Sequence, residues 1–301
     1  MDDAPAPSLV LNQVVDGRYR VVRRLGEGGM SCVYQGRDQH TNSDVAIKVL
    51  TPRLAGDPGS GERLKREALL AMRFDHPNVC RILHVGEASD GMLYLIMQYL
   101  RGESLNDAET RRGPYPVDEA VMLLVQACHG LQHAHDVGVI HRDLKPENIM
   151  LVPDDSAPGG IRAVVMDFGL GKAIEPDPEL VRLTQTGVIL GTPEFMSPEQ
   201  VRGDKIDGRS DIFSLGVVAF ELFTGQLPFA GSTSQESMMA RLRGKARSAR
   251  SLRPDLPSRA EAVLARALAL RTDQRYQTMR VFADDLGTIE ERGFLRRLLG
   301  R

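Results

Sequence analysis

Asp143, Lys145 and Asn148 fall within the single run HRDLKPEN, residues 141–148. The carboxylate can accept a proton or orient a hydroxyl. The ammonium can neutralise a transferring phosphoryl group, and the amide oxygen is a hard ligand for a cation that also binds phosphates. Pro146 keeps the run from being a helix interior. Few surface loops carry this combination. MDFG, residues 166–169, follows the apolar run IRAVV, so Asp167 sits at a strand end where it would supply a second oxygen for Mg2+. GEGGMSCV, residues 26–33, is glycine-rich between two strand-like runs. Glycines there let the backbone approach a ligand with its N–H groups turned toward phosphate, although alone the run is weak evidence and reads first as a ligand-free turn. Ser31 stands where the third glycine of a GxGxxG pattern would be. Lys48 lies among Val45, Ala46, Ile47 and Val49, on a strand that must be buried on at least one face. An unpaired buried lysine costs several kcal/mol, so a carboxylate or phosphate partner is expected, and Glu67 in the next helix is the natural carboxylate.

The elements that must position these groups follow from periodicity. Between Tyr19 and Val49 the runs YRVVRRL, SCVYQGRD and SDVAIKVL are rich in β-branched residues and broken by turns, the pattern of an antiparallel meander. Glu62 to Arg73 carries apolar residues near the helical period, and Val79–Val85 and Met92–Leu100 return to strand character around Asp90-Gly91. Five strands and one helix are thus expected, after a flexible acidic, proline-bearing leader over residues 1–17. Beyond Gly102 helices dominate: a long one from Glu119 ending at Gly138 as a C-cap glycine, then Asp211–Thr224, Glu236–Arg243, Ser258–Leu270 and Met279–Gly300. PDDSAPGG at 153–160 reads as a surface loop, and Leu170–Thr192 as a long functional loop.

Composition excludes several classes. The 301 residues, 42% hydrophobic and 26% charged, suit a globular chain, and a net charge of −2 offers no cationic excess for nucleic acid. Cys32, Cys80 and Cys128 are odd in number and far apart, against both a disulfide framework and a zinc cluster. The most apolar window, Ile212–Phe223, falls short of the roughly 20 residues of a membrane span. A cytoplasmic protein is expected, tethered to a membrane only if the gene continues past Arg301.

Taken in order along one chain, GEGGMSCV, VAIK, HRDLKPEN, MDFG and GTPEFMSPEQ resemble the eukaryotic-type serine/threonine protein kinases, and their bacterial branch in particular. The resemblance spans about Arg18 to Arg292. It implies an α+β fold of two lobes: a small antiparallel-sheet lobe with one main helix (18–98) and a larger, mostly helical lobe (99–292), followed by a basic amphipathic end (293–301). It implies Mg2+-dependent transfer of the ATP γ-phosphate to Ser or Thr of proteins, with Mn2+ as a substitute metal and self-association for autophosphorylation in trans. Gly26, Glu27, Gly28, Gly29 and Val33 would cover the nucleotide. Ala46, Met97, Leu100 and Met150 would line the adenine slot, with Gln98 and Leu100 offering backbone hydrogen bonds. Lys48, paired with Glu67, would hold the α- and β-phosphates; Asp143 would be the proton acceptor, Lys145 would steady the γ-phosphate, and Asn148 and Asp167 would hold the metal. Thr192 would belong to the acceptor pocket, Glu199 would pair with Arg275, Asp211 would be structural, and Arg142 would receive a phosphate placed on Thr184 or Thr186. A scaffold without activity and a small-molecule phosphotransferase are the alternatives, opposed by the intact catalytic set and by GTPEFMSPEQ respectively.

Other residues have plainer readings. His133 and His135 belong to the long helix, and His141 is expected to be a packed structural histidine. Cys32 reads as an ordinary strand residue, and the Phe294–Leu299 end as a helix docked on the domain.

Overall fold

In the computed structural model, residues 9–28, 31–50, 58–87, 93–168, 193–229, 231 and 233–298 are described. Gly29, Thr184, Thr186 and Thr192 lie outside them, as do residues 1–8 of the expected leader and the side chains of the C-terminal end. The chain divides into two compact units, Met1–His76 with Cys80–Arg101, and Pro77–Val79 with Gly102–Arg301.

The first unit is built on a six-stranded antiparallel sheet: β1 (Val14–Val15), β2 (Tyr19–Gly28), β3 (Ser31–Asp38), β4 (Asp44–Leu50), β5 (Ile82–Glu87) and β6 (Leu93–Gln98), in the order β1-β2-β3-β4-β6-β5. Alternation along the strands separates two faces. Cys32, Tyr34, Val45, Ile47, Val49, Tyr94 and Ile96 fill one hydrophobic core with Leu9, Val15, Tyr19 and Val21. Helix α1 (Pro58–Ala71) buries Ala68 and Ala71 and is tied to β5 by the Lys65–Glu87 ion pair at 2.6 Å.

Two expectations for this unit need correction. A free leader over 1–17 does not describe residues 9–17: β1 pairs with β2, Leu9 is buried, and its N–H donates to the Tyr34 hydroxyl at 3.1 Å. Two valines and a leucine were too short a signal to read as a strand. The boundary between the units also falls at 101/102 rather than 98/99, because Arg101 pairs with Asp44 at 2.8 Å and the Tyr99 hydroxyl accepts from Arg23. Residues 77–79 join the second unit through Asn78, whose side-chain amide donates to Gln126 Oε1 and to the Ala163 carbonyl.

The second unit comprises α2 (Leu105–Arg112), α3 (Val117–Asp136), α4 (Pro198–Arg202), α5 (Gly208–Thr224), α6 (Ser234–Leu242), α7 (Ala249–Leu252), α8 (Ser258–Ala267) and α9 (Met279–Leu298). A small sheet joins them, β7 (Glu103–Ser104), β8 (Ile149–Pro153) and β9 (Ile161–Val165), in that order. Helix α5 contains the Ile212–Phe223 window and is buried on nearly every side; it is the core of the unit. No helix among the described residues is long and apolar enough to cross a membrane. Helix α3 ends at Asp136, and Gly138 takes φ +84° just beyond it, the left-handed step that glycine accepts without a Cβ penalty.

Candidate active site

In the first unit, strand register gathers the expected nucleotide residues. Val33 on β3 lies opposite Lys48 on β4, which lies opposite Leu95 on β6, while Ala46 lies opposite Met97. Period-two alternation therefore puts Val33, Ala46, Lys48 and Met97 on one face, the reverse of the face that fills the core. Gly26 on β2 is the register partner of Val33, and a Cβ built there would meet nothing within 4 Å. Its lack of a side chain leaves open space rather than relieving an internal contact. Glu27 is exposed and pairs with Arg24. Gln98 closes β6 with its side chain exposed, and its N–H donates to the Arg81 carbonyl. Leu100 lies just past the strand, partly buried.

In the second unit, the segment from His141 to Asn148 is held by buried groups on three sides. Asp211, fully enclosed in α5, accepts from the backbone N–H of His141 at 2.8 Å and of Arg142 at 2.9 Å, and from His135 Nε2 at 2.7 Å. Burial alone would raise the Asp211 carboxyl, but the His135 hydrogen bond and charge, with the His141 contacts, hold it below the usual carboxylate value. Burial also lowers the His141 imidazole, which stays neutral. Its Nε2–H donates to the Met166 carbonyl at 2.9 Å, which leaves Nδ1 as an acceptor for the Asp143 N–H at 3.3 Å. Phe168 packs on the same ring, 4.8 Å between centroids. His141 thus joins the two segments that carry Asp143 and Asp167.

Asn148 completes the arrangement. Its Nδ2 donates to the Asp143 carbonyl at 2.7 Å, so its Oδ1 is the end available to a cation, and its own carbonyl accepts from the Met166 N–H at 2.9 Å, one residue before Asp167. Asp167 takes φ +57°, a left-handed conformation that aspartate visits more readily than most residues. Among the described residues no group of three or more His, Cys, Asp or Glu forms a metal-holding cluster. One carboxylate and one amide oxygen are instead hard ligands that fit a divalent cation which also binds phosphate oxygens. Lys145 and Asp143 are both partly exposed, and Met150, on β8, is too.

The acceptor-side segment is anchored to the helical core. Pro193–Phe195 forms a short 3-10 turn whose Phe195 carbonyl accepts from Ser214 Oγ at 2.7 Å and whose Glu194 carbonyl accepts from the buried Arg241 at 2.8 Å. Glu199 and Arg275 form the expected pair as a bidentate bridge of 2.7 and 2.8 Å. Burial would raise the Glu199 carboxyl, yet Arg275 and the Ser210 hydroxyl bring it below its ordinary value. Elsewhere in this unit carboxylates repel one another. Burial, then the charges of Glu221 and Glu147, push Glu109 up to about 8; burial, then Glu147 and Glu194, push Glu221 up to about 7.

Sequence reasoning missed His135, Gln200 and the carboxylate group of Glu109, Glu147, Glu194 and Glu221. From the sequence His135 reads simply as a residue of the long helix, since nothing local indicates that Asp211, 76 residues away, meets it. The spacing of Ser197 and Gln200 is a capping-box signal that could have been read.

Residues 19–286 match the protein kinase domain. The chain is 46% identical over 218 residues to serine/threonine-protein kinase pkn2 of Myxococcus xanthus, covering 72% of this chain and 26% of that protein. It is 39% identical over 272 residues to serine/threonine-protein kinase PknB of Mycobacterium leprae, covering 89% and 42% respectively. This chain accordingly spans about a quarter to a half of the length of such curated relatives. The crystal structure of the Mycobacterium tuberculosis PknI kinase domain superposes with a TM-score of 0.71 at 28% identity, over 94% of this chain and 100% of that one. Together with the arrangement around Asp143, these matches establish that the chain belongs to the protein kinase family, among the eukaryotic-type serine/threonine kinases of bacteria.

Proposed function

We propose that this chain catalyses Mg2+-dependent transfer of the ATP γ-phosphoryl group to Ser or Thr hydroxyls of proteins. The observation that carries the reading is the restrained peptide at Asp143, with its N–H on His141, its carbonyl on Asn148 and the preceding N–H on Asp211. Such restraint serves a reaction in which positioning and charge neutralisation do most of the work. Asp143 orients the acceptor hydroxyl and takes its proton as the oxygen attacks. Lys145 offsets charge on the transferring group, and Lys48 holds the remaining phosphates from the first unit. Asn148 and Asp167 would hold the metal, which when bound supplies Lewis-acid neutralisation of the phosphate oxygens; Mn2+ meets the same hard-oxygen requirement. The same reading makes Thr184 and Thr186 regulatory sites whose phosphates pair with Arg142, formed by self-association and transfer in trans.

The deciding experiment is incubation of the purified chain with labelled ATP and Mg2+, followed by mass-spectrometric mapping. Label on Ser or Thr of a protein substrate, lost on removal of the metal, is the expected result. Absence of transfer under all metal conditions would favour a scaffold, and label on small metabolites alone would favour a small-molecule phosphotransferase. Replacing Thr184 and Thr186 together by alanine should keep the enzyme in its low-activity state; full turnover would remove the switch.

A further inference from the structure

Arg142 lies immediately before Asp143 and takes φ +63°, a left-handed conformation sparsely used by residues with a Cβ. A residue held there needs surrounding bonds that over-determine it. The peptide on its N-terminal side is held through the Arg142 N–H, which donates to Asp211 at 2.9 Å. The peptide on its C-terminal side, which leads into Asp143, has its carbonyl bonded at 2.8 Å by the side-chain Nε2 of Gln200 on α4. The N–H of that same peptide meets His141 Nδ1 only at 3.3 Å, so the Gln200 bond is the stronger restraint on its plane.

Gln200 is itself oriented from the other end. Ser197 is the N-cap of α4; its N–H donates to Gln200 Oε1 at 2.9 Å, while its Oγ accepts from the Gln200 N–H at 3.4 Å. This capping box fixes which end of the amide is oxygen, and the nitrogen is left pointing at the Arg142 carbonyl. We propose that Gln200 is a positioning residue for catalysis: its amide couples the start of α4, directly after the acceptor-side segment, to the backbone that aims Asp143. The proposal rests on the kinase reading for its consequence in turnover, but the hydrogen bond can be tested without it.

Two roles must be separated, helix cap and backbone restraint, and two substitutions do so. Gln200→Glu keeps an oxygen for the Ser197 N–H but, when ionised, sets an acceptor against the Arg142 carbonyl. Ser197→Ala removes the Oγ cap and leaves the Gln200–Arg142 bond in place. For Gln200→Glu we expect kcat to fall about 10- to 100-fold, the range a misplacement of roughly 1 Å produces, with KM for ATP within about twofold. Ser197→Ala should lower Tm by a few degrees and kcat by about threefold at most. Should Gln200→Glu fail to fold, Gln200→Met fills the same volume with neither donor nor acceptor and is expected to show the same loss. Near-parental kcat in the Gln200 variants, or losses of kcat in both positions that merely track Tm, would overturn the proposal. The second measurement is hydrogen exchange at the Asp143 amide, expected to quicken about tenfold or more in the Gln200 variants and to stay unchanged in Ser197→Ala. Equal protection in all three proteins would refute the restraint, even in a chain with no transferase activity.

Discussion

Removing Glu199 should expose how strongly the helical unit depends on one buried ion pair. The Arg275 side chain is fully enclosed and Glu199 is 7% exposed, and they share two short hydrogen bonds of 2.7 and 2.8 Å. Glu199→Ala leaves the guanidinium buried without its counter-charge, a change that costs about 3–5 kcal/mol in comparable sites. Arg275 keeps bonds to the carbonyls of Ala269, Arg209 and Leu270 and lies 4.8 Å from the Phe213 ring centroid, which places the expectation near the lower bound, about 3 kcal/mol. At roughly 2–4 °C per kcal/mol for a unit of this size, Tm falls by about 6–12 °C. Arg275→Met behaves differently with pH. In the parent, the Glu199 carboxyl is depressed, so its contribution is present above the unfolded value and is lost as pH falls through the lowered folded one. Without Arg275, burial, the largest influence, is opposed only by the Ser210 hydroxyl and the Glu199 backbone N–H; the carboxyl is expected to rise, and stability is then lost as pH increases. The gap between parent and Arg275→Met should therefore open as pH rises from about 4. The assay is thermal or urea unfolding of the parent, both single variants and Glu199→Ala/Arg275→Met across pH 4–8. The double variant should cost clearly less than the sum of the singles, since it leaves neither charge unpaired. A loss under about 1 kcal/mol in Glu199→Ala, or a double variant equal to the sum, would refute the account.

Lys48→Met and Asp143→Asn should each reduce transfer by about three orders of magnitude or more without changing circular dichroism, because one removes a phosphate contact and the other the proton acceptor; single-turnover kinetics check this. Asp167→Ala should weaken ATP binding in the presence of Mg2+ far more than binding of a metal-free adenine analogue, as read by calorimetry. Glu109 is raised to about 8 and so stays protonated when folded after the unfolded chain has ionised; its stabilisation is complete below about 4.5 and lost as pH rises through 8. Glu109→Gln should match the parent in acid and exceed its Tm progressively toward pH 8.5. Asp211→Asn should lower both Tm and kcat, since an amide nitrogen would face the N–H groups of His141 or Arg142; unchanged exchange at those two amides would contradict this.

Local chemistry in the chain was enough to pick out the proposed nucleotide-facing side of the sheet and the proposed catalytic loop. Alternation along β4 sets Ala46 and Lys48 opposite Val45, Ile47 and Val49 because a pleated strand has a period of two, whatever it packs against. Pro146 cannot sit in an α-helix interior and opens only a single 3-10 turn, Pro146–Asn148, so Asp143, Lys145 and Asn148 stay within one short segment. The order of the motifs made the family recognisable, and with it the Glu199–Arg275 partnership. Short elements were not legible: β1, β7 and α7 have two to four residues each, too few to show a period; β1 and β7 form on the hydrogen bonds of the longer β2 and β8, and α7 is capped locally by Ser248. Nor were the restraints on Asp143. Asp211 meets His135 across 76 residues, and Gln200 meets Arg142 across 58. No propensity encodes such pairs, since the chain must first close long loops at an entropic cost that only the packed helices repay. The amino-acid sequence alone determined which groups could do the proposed chemistry; the tertiary structure decided how their backbone is aimed, because hydrogen bonds between distant segments exist only after the core has brought those segments together.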